Sequence, residues 1–225
     1  MSKHKKLIII GNGETAELAF LYFMNDSDYE VVAFAVEREY LTHSKLRGLD
    51  VIALEDIQNV YSPNSYEAFV AISSTKLNTL RTRLYNQTKA LGYKMASYIS
   101  SKAYIGYEVT IGDNCFIMEQ NVIQSFAKIE NNVILWSGNH IGHSSVIEDN
   151  NFITSHVVVS GFCRIGKNCF VGVNTSIADN ITIGDFCLIG LGCIIAKDVP
   201  SNSIMKMQYA QKQIITAKQF IGINE

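Results

Sequence analysis

Proline is almost absent from this chain: only Pro63 and Pro200 occur in 225 residues, each at an element boundary or loop. That count leaves no proline-rich linker to separate flexible parts. Cysteine is scarce and odd in number, five in all, with no C-x-x-C spacing. A disulfide framework and a thiolate zinc site are both disfavoured by that arithmetic. Charge of one sign is also missing. The net charge of −2 gives no global basic field to recruit nucleic acid or an acidic membrane surface. Long apolar runs are lacking too. The basic start Met1–Lys6 leads into Leu7-Ile8-Ile9-Ile10, which stops at Gly11 and is too short for a signal-peptide core or a membrane span. A cytoplasmic protein is expected.

What is present is a period of six. From Ile105 to Ile195 every sixth residue is aliphatic: Ile105, Ile111, Ile117, Ile123, Ile129, Leu135 and onward to Ile177, Ile183, Ile189, Ile195. Neither an α-helix nor a flat strand repeats at six. Stacked coils burying one apolar column do. Four residues after each aliphatic position the residue is mostly small, as at Val109, Cys115, Ala127, Ser145, Val157 and Thr175, and all five cysteines fall there. They read as buried core thiols behaving as small hydrophobes. Glycine often follows the aliphatic residue directly. The expected fold is a left-handed parallel β-helix with three six-residue faces per coil. Cys169 and Cys187, one coil apart, would then stack at roughly 4.8 Å.

The first 100 residues follow another rule. Leu7–Ile10, Val31–Val36, Val51–Leu54 and Tyr66–Ile72 read as strands, and 14–24 and 76–91 carry helical apolar spacing. Tyr93–Ile99 is expected to close this part as a strand. Alternating strands and helices imply a parallel sheet of βαβ units, about half of a full dinucleotide-binding domain. The expected organisation is an α/β Rossmann-like half domain over 1–100, the β-helix over 101–200, and a C-terminal cap or helix over 201–225. The apolar pattern of Tyr209 to Phe220 suggests that terminal helix.

Two motifs carry chemistry. Gly11-Asn12-Gly13-Glu14-Thr15-Ala16 lies directly after the first strand and opens a helix. Glycines there let the backbone approach a phosphate, and the helix start supplies free N–H groups. A tight turn with no ligand is the plainer alternative. Glu37, at the end of the second strand, is placed for a ribose hydroxyl, and Ser73-Ser74-Thr75 for a sugar or phosphate. An NAD site is disfavoured because the second mononucleotide half is missing.

The other motif is Trp136-Ser137-Gly138-Asn139-His140-Ile141-Gly142-His143. His143 lies two residues past the inward Ile141, at a coil turn. Gly161 follows it by eighteen residues, one coil, so an imidazole is expected beside a backbone N–H of the next coil. A base beside an oxyanion donor suits acyl transfer from a thioester. Polar surface histidines, or a zinc site built from His140, His143 and His156, are the other readings. The positions of the three around the coil disfavour zinc.

On these residues, with Val146-Ile147 and Ile165-Gly166-Lys167-Asn168-Cys169-Phe170, the chain resembles hexapeptide-repeat sugar acyltransferases. It is similar to the bacillosamine-type and perosamine-type N-acetyltransferases and to the sialic acid O-acetyltransferases. The resemblance implies a homotrimer with active sites between subunits, acetyl-CoA as co-substrate, no metal, and a nucleotide-linked amino sugar carried on UDP, dTDP or GDP. It implies His143 as catalytic base and the Gly161 amide as oxyanion donor. It places nucleotide-sugar contacts at Asn12, Gly13, Glu14, Glu37, Ser73 and Ser74, and CoA contacts at Phe152, Gly161, Val173 and Leu191. The expected reaction is acetylation of an amine, as on a 4-amino-4,6-dideoxy hexose for surface polysaccharide such as O-antigen. O-acetylation of a sialic acid-like sugar, or a non-catalytic nucleotide-sugar-binding trimer, are the alternatives. The chain departs from the family's pattern at Ser144, where the bacillosamine enzymes have a glutamate. It departs again at Phe152, where they have a histidine, and at 205–210, in place of a G-x-P-A terminus.

Overall fold

A computed structural model of the chain describes residues 3–208, 210–212 and 214–223. Strand β1 (Lys5–Ile10) is buried from Leu7 to Ile10 because helices or coils cover both faces of the sheet it centres. Helix α1 (Glu14–Asn25), β2 (Tyr29–Val36), a β3–β4 hairpin (Lys45–Leu46, Leu49–Ala53), the single turn α2 (Ile57–Val60), β5 (Glu67–Val70) and α3 (Thr79–Ala90) follow. The sheet order is β3-β4-β2-β1-β5, parallel except for the hairpin edge. The expected βαβ half domain is therefore present.

Of the closing strand expected over Tyr93–Ile99, the structure keeps a single parallel bridge to the sheet, Met95 with Ala68 of β5. Tyr98–Ile99 then pairs with Phe116–Ile117 as the first rung of the coils. Ile99 already stands six before Ile105, so the coil register takes over within this segment.

From there two-residue strands pair in parallel at a spacing of one coil, as Val122 does with Tyr104 below and His140 above. The strands form three sheets, the faces of the left-handed β-helix. Inward aliphatic residues and small partners, including all five cysteines, make one continuous core. The Cys187 N–H lies 3.4 Å from Cys169 Sγ, the stacking expected from their spacing. One corner is held by an asparagine ladder, with Asn114 Nδ2 to Asn132 Oδ1 at 2.8 Å and Asn132 Nδ2 to Asn150 Oδ1 at 2.8 Å. These asparagines have φ of 53°, 58° and 65°, the left-handed region that asparagine tolerates best among side-chain-bearing residues.

The period of six ends near Pro200 as expected, but the coiling does not. Ile204–Met205 pairs with Leu188–Ile189 and adds a last rung to one face, so the final coil is shorter than the others. Of the helix expected over Tyr209 to Phe220, the structure forms Ala217–Phe220, capped by Thr216 and Gln219, while Tyr209 lies outside the described residues. The β-branched pair Ile214-Ile215 just before it favours extended chain over helix.

The three faces differ chemically. One presents Phe116, Ile134, Phe152 and Phe170, and these pack under the α/β sheet with α1 and β1 residues. This docked face is also tied down by polar bonds. The Val70 N–H donates to Asn114 Oδ1 at 2.7 Å, and Asn78 Nδ2 to the Cys169 carbonyl at 2.9 Å. Arg81, on α3, is fully buried and donates to the carbonyls of Asn132, Asn150 and Asn151. Its guanidinium also lies 5.8 Å from the Phe152 ring centre. Burial pushes its pKa down to about 9, leaving it cationic at neutral pH. The second face leaves Tyr104, Val122, Val158 and Ile194 exposed. The third carries Lys128, Arg164 and Thr182 outward.

Candidate active site

His143 sits at the corner where the open face, through His140–Ile141, turns into the polar face at Val146–Ile147. Its backbone N–H donates to Gln124 Oε1 at 2.9 Å, and its Nδ1 lies 3.3 Å from the same oxygen. The Phe162 ring meets the imidazole edge-on, with centres 4.8 Å apart. Beneath the ring lies Gly161. A Cβ built there would stand 2.6 Å from His143 Cε1 and 3.0 Å from both ring nitrogens. The expected juxtaposition of imidazole and next-coil backbone is what the register produces.

The Gly161 amide, however, already has a partner: its N–H donates to Asp179 Oδ1 at 2.9 Å. Asp179 stands one coil further on, and equivalent bonds run from Asn131 N to Asp149 and from Lys167 N to Asp185. The amide is thus a rung in a turn ladder, accepted by an exposed carboxylate. Phe126 and Phe162 flank Ser144 in its column with φ of 66° and 56°, although more than half exposed at 54% and 58%. A bulky side chain in left-handed backbone is costly and tends to mark functional surface.

A cavity of about 600 Å³ opens at the other motif, in the size range of small-ligand sites. Asn12, Gly13, Glu14, Glu37 and Ser73 line it, together with Tyr40, Thr75 and Trp136. The first N–H groups of α1, begun by Gly13 without a side-chain cap, have no helical acceptor. Glu37 is not free: Arg83 Nη1 and Nη2 hold its two carboxylate oxygens at 2.6 and 2.8 Å. That fork holds the Glu37 carboxyl below its usual range. Ser74 lies apart from Ser73, in a separate cavity of about 590 Å³ with Leu77, Phe170, Phe186 and Ile204.

The four positions expected to contact CoA do not share one surface. Phe152 is buried at the domain junction, its ring stacked on Phe170 at 5.7 Å. Val173 and Leu191 are exposed at the corner between docked and open faces, one corner away from Gly161. His140, His143 and His156 also separate: His140 is on the open face, His143 at its far corner, and His156 over Gly138 at its near corner. Among the described residues no group of three or more His, Cys, Asp or Glu is placed to hold a metal ion.

Two consecutive stretches, 126–161 and 162–197, match the family described as bacterial transferase hexapeptide (six repeats). The match covers the coils of 126–197. Solved structures agree on the fold of nearly the whole chain. The acetyltransferase domain of PglB from Neisseria gonorrhoeae FA1090 superposes with a TM-score of 0.80 at 24% identity, covering 89% of this chain and 96% of that one. PerB from Caulobacter crescentus, solved with CoA and GDP-perosamine, gives 0.78 at 20% identity, covering 88% and 92%. WeeI from Acinetobacter baumannii AYE gives 0.76 at 18%, covering 89% and 96%.

Within the hexapeptide coils, sequence reasoning missed Asp179 and Gln124, and outside them Arg81 and Arg83. Asp179 was accessible to the same arithmetic, one coil beyond Gly161. Gln124 stands nineteen residues before His143, off the column by one, and the side chain's reach closes the gap. The arginines come from α3, whose placement no coil register describes.

Proposed function

We propose that this chain is an acyltransferase that moves acetyl from acetyl-CoA to the amine of a nucleotide-linked amino sugar. The observation that carries the reading is the His143 imidazole seated on Gly161 at an exposed coil corner. The amine attacks the thioester carbonyl, His143 Nε2 takes the amine proton, and that proton passes to the departing CoA thiolate. The carbonyl oxygen takes the Gly161 N–H in place of Asp179, whose exposed carboxylate can turn to water. The Phe126 and Phe162 rings beside the base favour an acceptor with an apolar edge, such as the methyl of a 4-amino-4,6-dideoxy hexose. CoA is assigned to the corner carrying Val173 and Leu191.

The cavity behind Asn12, Gly13, Glu14, Glu37 and Ser73 is assigned to the nucleotide. Trp136 lines it, and His143 lies one face away, roughly 20 Å along extended chain. The exposed apolar residues of the open face, Tyr104, Val122, Val158 and Ile194, support a homotrimer that buries this face and has its active sites between subunits. The fold of PglB and PerB supports the same chemistry. No described helix is long and apolar enough to cross a membrane, consistent with a cytoplasmic enzyme supplying surface polysaccharide. Calorimetric titration with UDP-, dTDP- and GDP-amino sugars, with thiol release from acetyl-CoA, tests the reading. Tight binding of one nucleotide sugar with thiol release is expected. Binding without release indicates a non-catalytic trimer, and release with a free hydroxyl sugar indicates O-acetylation.

A further inference from the structure

We propose that Gln124 is a positioning residue that holds His143 in the tautomer protonated on Nδ1, and so presents a bare Nε2 to the substrate. The inference rests on the transferase reading only for the role of Nε2. The tautomer itself follows from hydrogen-bond bookkeeping.

The backbone N–H of His143 can only donate, and the atom it meets at 2.9 Å is Gln124 Oε1. That contact fixes which end of the amide faces the histidine, because the NH₂ end would set donor against donor. The ring's Nδ1 lies 3.3 Å from the same oxygen. A carbonyl oxygen has only lone pairs to offer, so Nδ1 must carry a hydrogen. In a neutral imidazole the other nitrogen is then unprotonated. Gly161 supports the ring face and the Phe162 edge limits its rotation, so one amide oxygen decides the proton's place.

Among the described residues it is Gln124, and not Ser144, whose side chain meets the His143 ring nitrogen. The Ser144 backbone is left-handed, with φ of 57°, and its N–H is committed to the Ser125 carbonyl. The orienting group has moved from the residue after the base to the coil before it, and from a carboxylate to an amide. An amide orients without adding charge. The other ionisable groups on this corner are then Tyr107, Glu108, Asp179, Lys197 and Asp198, with Asp179 held to the Gly161 amide beside the ring.

Long-range proton–nitrogen NMR of the ¹⁵N-labelled protein reads the tautomer without turnover. His143 is expected as Nδ1–H in the intact protein. Gln124→Leu is expected to move it toward Nε2–H and to lower kcat by about 10- to 100-fold, the usual cost of losing an orienting partner of a histidine. Gln124→Glu, which keeps the acceptor, should retain the Nδ1–H form. It should also restore most of kcat and shift the acidic limb of kcat/KM upward by about one pH unit, as a new neighbouring carboxylate does. An Nε2–H tautomer in the intact protein, or an unaltered one in Gln124→Leu, would overturn the proposal. Full turnover by His143→Ala would instead remove His143 from the chemistry, and absence of thiol release by the intact protein would remove the transferase reading; in both cases the NMR spectrum would still decide whether Gln124 sets the tautomer.

Discussion

Gly161 is the surface on which the His143 ring rests: any side chain there would put its first carbon 2.6 Å from Cε1. Two residues one coil apart are thus coupled by contact. His143→Ala is expected to lower kcat by roughly 10²–10⁴, the range for a general base. Gly161→Ala should produce a loss of similar order by displacing the ring, with the circular dichroism unchanged. Steady-state rates on the preferred acceptor check both. Unaltered turnover in Gly161→Ala would show that the ring is not held by this contact during the reaction.

Asp179 holds the amide that the proposed mechanism assigns to the oxyanion. Asp179→Ala should raise kcat/KM for acetyl-CoA about five-fold, the worth of one ordinary hydrogen bond. If the Gly161 N–H plays no part in stabilising the oxyanion, the same variant should leave kcat/KM where it was.

Arg81 is a buried cation satisfied by carbonyls, with no carboxylate among its hydrogen-bond partners. Arg81→Ala removes the charge and strands those carbonyls, and is expected to destabilise the fold by about 2–4 kcal/mol. Arg81→Lys should not rescue it, since an ammonium lacks the planar fork. Thermal unfolding would reveal the difference, and equal midpoints for Lys and wild type would refute the role of the fork.

The thiols should be inert. Burial pushes Cys115 and Cys169 up to about 12, and raises Cys163 as well. Ellman titration at pH 8 is expected to find no rapidly reacting thiol in the folded protein and five after denaturation. A single fast thiol in the native state would contradict the core placement.

The coils were legible because their period is a covalent fact: eighteen residues per turn place Cys169 beside Cys187 and His143 beside Gly161 on neighbouring coils before any coordinates are known. The α/β half was legible for its strands and helices through apolar spacing. What the register could not supply was the neighbour of each face. The resemblance gave Phe152 a cofactor contact, and the register could not correct it, because an outward position is the same whether solvent, ligand or another domain lies beyond. Ser73 and Ser74 looked equivalent, yet three successive left-handed residues, Lys76, Leu77 and Asn78, complete the turn beyond them, and the two serines line different cavities.

The Arg81 anchorage has a kinetic corollary. Swinging the α/β lobe away from the prism would bare a lone cation and several dry carbonyls together, so the two lobes travel as a single stiff frame. For the proposed transferase such a frame offers no hinge between the lobes, and the expected seat for its substrates is a fixed one.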